Sequence, residues 1–478
     1  LEQGRADIEV AVGLGSNDAL LRAYLGKAYF EEKRSPLDSR QFEIARQLDP
    51  GDPTAWLYGG IAKQTENRPV EAVLDLEKSR TLNDNRAVYR GRLLLDKDRA
   101  ARGTSIARAY KDLGLEQLGI NEASNSLTID PANASAHRYL SDTYRGERRR
   151  EFARLSELYQ AQMLQDINVN PVQPSISAGN LNIVTLGGPA TPGFNEFTPL
   201  FQQNEVQADV SFAGGNNGTG AGEAVVTVLH DRLSFSLGAL KYQTDGFRIN
   251  NHQEHDIFNA YMQASITPGL NLQAEYTYRD TNNGDLEQNF DPNDFNTLLN
   301  RDYNENTVRL GARLTPNLAT TVLLSLIYSD REEVEDEGLN VNTVPCFVLP
   351  PTWPFPCVGT FTTTDQQVFT GDRETLQGEG QYIYQADRLN VTAGALYADN
   401  NNSGALVSTA TTSFPLPPSI VTVDLGNNTD IGGLYAYGNL SMRDDMEWTI
   451  GLSYTDYEID FDDQVIADED FDRFNPKL

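Results

Sequence analysis

A chain of 478 residues has room for two or three domains, and its 38 Lys and Arg against 68 Asp and Glu leave a net charge of −30. The charge is uneven: residues 1–165 hold 25 basic and 25 acidic side chains, residues 166–478 hold 13 and 43, so a boundary falls near 165. That acidity excludes nucleic acid as a partner of the second part, since phosphate binding needs a basic footprint. The absence of about 18 consecutive apolar residues excludes a transmembrane helix but not membrane-crossing strands.

The first third reads as helical repeats. Leu25-Gly26, Tyr29, Phe42, Ala45 and Pro50 sit at the spacing of one tetratricopeptide (TPR) unit, and Trp56, Gly60 and Ala72 continue it at the ~34-residue period. Tyr110 and Pro131 mark a later unit, displaced by an insertion of roughly a dozen residues, and Leu140, Tyr144 and Ala153 mark a further helix pair. Small residues let paired helices approach and large ones fill the gap. Segments 49–53 and 130–133 stop one helix and cap the next. An α-solenoid over 1–165 offers a concave surface to a protein partner. Arg145, Arg148, Arg149, Arg150 and Arg154 form a basic cluster on its last pair, read as a solvated face or as a docking patch for an acidic partner.

Residues 166–204 carry Pro171, Pro174, Pro189, Pro192 and Pro199 and read as a connector without much regular structure. From Val206 a period of two takes over. Strands are expected at 206–213, 223–229, 232–241, 257–266, 270–279, 305–314, 318–328, 375–384, 388–397, 432–442 and 446–455. In the hairpin 257–279, Phe258, Ala260, Met262, Ala264 and Ile266 alternate with polar residues, as do Leu270, Leu272, Ala274, Tyr276 and Tyr278. The apolar stripes carry no charge. The facing stripes carry Asp209, Glu275, Arg279, Arg309, Arg313 and Glu379, which are candidates for a lumen. Very short turns alternate with connections at 214–222, 242–256, 280–304, 329–374 and 398–431, and aromatic residues gather near strand ends. This asymmetry is that of an outer-membrane barrel, with short periplasmic turns, long external loops and aromatic girdles. It puts the helical repeats in the periplasm.

The arrangement resembles Gram-negative outer-membrane proteins that join periplasmic TPR repeats to a β-barrel, as exopolysaccharide-export porins and surface-lipoprotein translocators do. The closing Arg473-Phe474-Asn475-Pro476-Lys477-Leu478 is similar to a strand opening common in TonB-dependent receptor barrels, as are the long acidic loops. Those receptors need an N-terminal plug domain, and the 39 residues of 166–204 are too few for one.

The expected fold is therefore α + β and multidomain. An N-terminal α-solenoid of TPR-like helix pairs (1–165) and a connector (166–204) precede an antiparallel transmembrane β-barrel (205–478). The barrel has about eleven visible strands and is incomplete at the C-terminus, where a twelfth begins near Arg473. The chain starts at Leu1 without Met, so both ends are expected to be cut. Cys346 and Cys357, eleven positions apart in a Pro-rich external loop, are expected to form a disulfide in an oxidising compartment. His252, His255 and Asp256 read as polar loop residues rather than metal ligands. The acidic stretches 330–337 and 456–472 read as solvated external loops that attract divalent cations. No nucleophile motif, phosphate-binding glycine loop or paired-cysteine zinc site occurs, so neither an enzyme nor a cofactor is expected. The function expected is an outer-membrane conduit or receptor whose repeats recruit a protein partner or cargo. The alternatives are a structural assembly platform with a sealed lumen and a soluble adaptor whose strands form a sandwich. An open pore with an acidic vestibule would prefer cations weakly, and less so as salt rises.

Overall fold

The computed structural model describes residues 2–85, 95–144, 151–168, 201, 203–287, 293–345, 360–386, 388–412, 418–443, 446–461 and 469–477. Its helical part consists of α1 (Glu2–Leu14), α2 (Ala19–Glu31), α3 (Leu37–Leu48), α4 (Pro53–Thr65), α5 (Pro69–Thr81), α6 (Leu95–Asp112), α7 (Glu116–Ile129), α8 (Ala134–Tyr144) and α9 (Glu151–Leu164). The repeat spacing has a direct steric basis. A Cβ at Gly26 on α2 would lie 2.6 Å from the Phe42 ring of α3, and one at Gly60 on α4 would lie 2.8 Å from Leu76 of α5. The large residues of one helix thus fill notches in its mate. Phe42, Leu57, Tyr58, Ile61, Leu76, Ile106 and Ala109 form a continuous core through the stack. Asp52 accepts from Thr54 N ahead of Pro53, and Asn133 accepts from Ala136 N, which are the caps expected of those two segments.

Among the described residues thirteen strands follow. They are β1 (Glu205–Gly214), β2 (Gly220–His230), β3 (Leu233–Thr244), β4 (Gln253–Thr267), β5 (Leu270–Asn283), β6 (Asn300–Asn317), β7 (Thr320–Pro345), β8 (Thr360–Ala386), β9 (Leu389–Thr412), β10 (Ser419–Asp424), β11 (Asn427–Arg443), β12 (Met446–Phe461) and β13 (Glu469–Lys477). Each pairs antiparallel with its neighbour in chain order, except that β9 is flanked first by β10 and then by β11, which act as one broken strand. Among the described residues β1 and β13 are the two edges, and no pairing between them closes the sheet.

All eleven expected strands are present, but they run further than alternation alone indicated. β7 and β8 span 26 and 27 residues, against the ~10 that cross a bilayer. The stretch 330–337 therefore lies in β7, not in a loop, and 456–461 and 469–472 belong to β12 and β13. Both faces of these extensions are polar, so no apolar stripe announces them. Ion pairs hold them instead: Glu335 meets Arg301 of β6 across the ladder at 2.9 Å, and Glu333 meets Arg331 two residues along the same strand at 2.8 Å. β10 arises inside the connection expected at 398–431, and the last strand starts at Glu469 rather than near Arg473.

The two faces of the sheet are inverted relative to a water-soluble fold. Leu324, Leu326, Leu310, Leu434, Trp448, Ile450 and Leu452 are exposed, Leu434 at 60%. Ser234, Ser236, Gln263, Gln273, Arg309 and Gln377 on the other face are buried, Gln263 and Ser234 at 0%. On β4 the apolar stripe runs from Phe258 to Ile266, roughly 27 Å of strand. Above it the outer face turns charged at the Lys241–Asp256 pair, 3.0 Å apart. Among the described residues no helix is long and apolar enough to cross a membrane, which says nothing about strands.

Candidate functional site

The concave face of the sheet holds a helix. Gln263, Gln273, Gly311, Ser325 and Glu379 pair in succession across β4, β5, β6, β7 and β8, so they mark one level of the ladder. Helix α9 lies along that level. Ser156 donates to Glu379 Oε2 (2.8 Å), and a Cβ at Gly311 would lie 3.3 Å from Met163 Cγ. Gln273 donates to Gln162 O (2.7 Å) and Gln263 to Gln165 O (3.4 Å). Four strand spacings are about 19 Å and nine helical residues about 14 Å, so α9 runs across the strands rather than along them. Lying across the strands, α9 meets β4 to β8 in turn along its own length.

The wall also finishes the helix. Carbonyls in the last turn of a helix have no intrahelical donor. Here Gln273 takes Gln162 O, and Arg313 takes Leu164 O at 2.7 Å and Gln165 O at 3.4 Å. The C-terminus of α7 is finished likewise, with Asn390 donating to Thr128 O and Ile129 O at 3.2 and 3.0 Å, while Gln385 donates to Asp130 Oδ1 (2.7 Å). Apolar contact comes from Tyr159, Met163 and Leu164 against Leu323, Ile327 and Ile383.

The six lumen candidates share this concave face. Arg309 is 1% exposed, donates to Glu275 (3.1 Å) and Gln273 (3.3 Å), and lies 4.9 Å from the centre of the Tyr159 ring. Arg313 caps α9 as described, and Glu379 also accepts from Tyr435 at 2.9 Å. Arg279 sits 3.7 Å from Glu305, a cross-strand pair above α9. Asp209, opposite Val225 on the edge strand β1, is exposed. Four of them therefore surround a helix instead of lining free space. Sequence alternation gave their face but not their neighbour. A weak signal existed in Gly311, a gap in a row of long polar side chains, which is the notch for Met163.

His252 and His255 are separated by their bonds, to Asn282 (3.0 Å) and Thr281 (2.5 Å), and no group of three or more metal-ligating side chains occurs among the described residues. Of the basic cluster, Arg154 lies on α9; Arg145, Arg148, Arg149 and Arg150 fall outside the described residues, as do Cys346 and Cys357.

A buried ion pair ties α9 to α8. His137 Nδ1 meets Glu157 Oε2 at 2.5 Å and Nε2 meets Pro131 O at 2.9 Å. Both ring nitrogens face acceptors, an arrangement only the imidazolium satisfies. Burial pushes the His137 pKa down, but Glu157 and the Pro131 carbonyl outweigh it, and the net shift is upward. A raised folded-state pKa stabilises the protein fully below the unfolded value of ~6.5, and the gain disappears as pH rises through the folded value. Thermal stability of the helical region should therefore fall as pH rises from the unfolded value of ~6.5 through the higher folded value. Glu157→Gln should flatten that slope in melting curves recorded across pH; an unchanged slope would assign it to other groups.

No family model matches the chain, and no curated protein matches it. Two kinds of solved structure are similar to parts of it. MamA matches at 18% identity over 34% of this chain and 85% of its own, with a TM-score of 0.27. The siderophore receptor PiuA from Acinetobacter baumannii matches at 9% identity over 57% of this chain and 46% of its own, TM-score 0.41. The ferric-catecholate import receptor Fiu from E. coli K12 matches at 12% over 58% and 51%, TM-score 0.41. This chain spans about half the length of either receptor. The fold is a TPR-like solenoid joined to a curled antiparallel sheet.

Proposed function

We propose that this chain is a non-enzymatic outer-membrane protein of conduit or receptor type, whose periplasmic TPR-like repeats recruit a protein partner or cargo. The observation that carries the reading is the inverted polarity of the sheet. A soluble sandwich would hide Leu324, Ile450 and Leu434 and expose Gln263 and Ser234, whereas a barrel in lipid does the reverse. Lipid is thus the partner of the apolar belt. The helical part joins at the rim of short turns, where Asn204 and Asp231 bond reciprocally, which supports a periplasmic position for the repeats. The acidic extensions of β7, β12 and β13 on the opposite rim would concentrate divalent cations. The seat of α9 favours the second reading, an assembly platform with a sealed lumen. In cells the complete protein should fractionate with outer membranes and migrate faster on unheated than on heated gels. Recovery in the soluble fraction without detergent would refute the membrane reading.

A further inference from the structure

We propose that α9 is a removable bar, which closes the barrel while seated and opens it when the repeat stack is drawn away; this rests on the outer-membrane reading above. Its position is the first argument. The level of Gln263, Gly311 and Glu379 lies within the apolar belt, between Leu310 and Ala312 on β6, so the bar lies against the inner wall at the depth of the belt and not at its mouth.

The chemistry of the seat is the second. A permanent core is apolar and pairs nearly all its buried polar atoms. This seat is built largely of side-chain bonds to helix-end carbonyls, Gln162 O, Leu164 O and Gln165 O, which water can replace in a wet lumen. Gln162 Oε1 and, one step along the wall, Gln377 Oε1 have no partner among the described residues. The apolar share is the single cluster of Tyr159, Met163 and Leu164 on Leu323, Ile327 and Ile383.

The third argument is linkage to the repeats. α9 is the second helix of the last pair, fastened to α8 by His137–Glu157 and by Ser141 Oγ donating to Arg154 O (2.9 Å). α8 in turn packs on α6 and α7 through Tyr139, Leu140, Ala107 and Ala123. A partner that shifts the stack therefore pulls on the bar through continuous packing.

The test uses one lock and one release in the complete protein, reconstituted in liposomes that swell in an iso-osmotic sugar. Gln273→Ala with Arg313→Ala removes two caps of α9 and should raise sugar flux roughly tenfold or more, the shift expected for two lost helix-end hydrogen bonds. Adding Met163→Cys and Gly311→Cys places a sulfur at the Met163 Cγ position, 3.3 Å from the new Cβ and within disulfide reach. Oxidation should return flux to the level of protein-free liposomes, and reductant should restore it. Wild type with and without reductant controls for Cys346 and Cys357. An inserted release variant no more permeable than wild type, flux that survives the cross-link, or failure of the cross-link to form would each overturn the bar. Failure to insert, read from the gel shift, would overturn the membrane reading as well.

Discussion

Ala274→Arg should cost the folded barrel about 2–4 kcal/mol, because the side chain joins the outer belt near its middle, where a cation meets hydrocarbon. Ala274 pairs with Met262 on one side and Leu310 on the other, both exposed on that face. Denaturant unfolding of the lipid-refolded protein, followed by the gel shift, measures the loss. The sequence alone suggests Gln273→Arg, one residue away and facing inward, as a mild control. The structure corrects that choice: Gln273 is 5% exposed and caps α9, so an arginine there would unseat the helix. Thr277→Arg is the better control, since it faces inward above α9, where Asn259 donates to its hydroxyl. It should cost under about 1 kcal/mol. Equal losses at 274 and 277 would place the apolar face against something other than lipid.

Phe42→Ala should destabilise the helical repeats by about 3–5 kcal/mol, the usual cost of emptying a large buried aromatic site. Phe42 is 2% exposed and fills the notch at Gly26, whose backbone cannot close in on α3 by the ~3 Å the missing ring would leave. The loss should appear as a lower denaturant midpoint of the helical circular dichroism. Val10→Ala on α1, at a site 63% exposed, should stay within about 0.5 kcal/mol. A cost below about 1 kcal/mol at Phe42 would contradict the pairing of α2 with α3.

The contrast between these positions shows where sequence is informative. Gly26 and Gly60 recur at the ~34-residue period, with Phe42 and Leu76 at the same offset from them, because each helix pair must bury the same kind of notch, so the solenoid was legible in residue order. The strands with an apolar outer face were legible for the same kind of reason. A side chain alternates faces every residue, and Leu310, Ala312 and Leu314 advertise an apolar neighbour whatever lies on the other side. Positions 330–345 and 360–374 carried no such mark, because a strand wet on both faces has no reason to alternate; only pairing of β7 with β8 decided them.

The seat of α9 was the least legible feature. Arg309, Arg313, Gln273 and Glu379 are polar residues on an inward face, and that composition suits free water as well as a helix. Nothing local distinguishes the two, since a carbonyl at Leu164 and a water molecule make the same demand on a guanidinium. The sequence by itself determined which residues form the apolar outer face, which face inward, and that small and large residues interlock in the repeats, because each follows from a period within one segment. The tertiary structure alone decided that residues 156–165 occupy the interior, because that contact joins side chains a hundred or more positions apart, and bonds of that span leave no period behind.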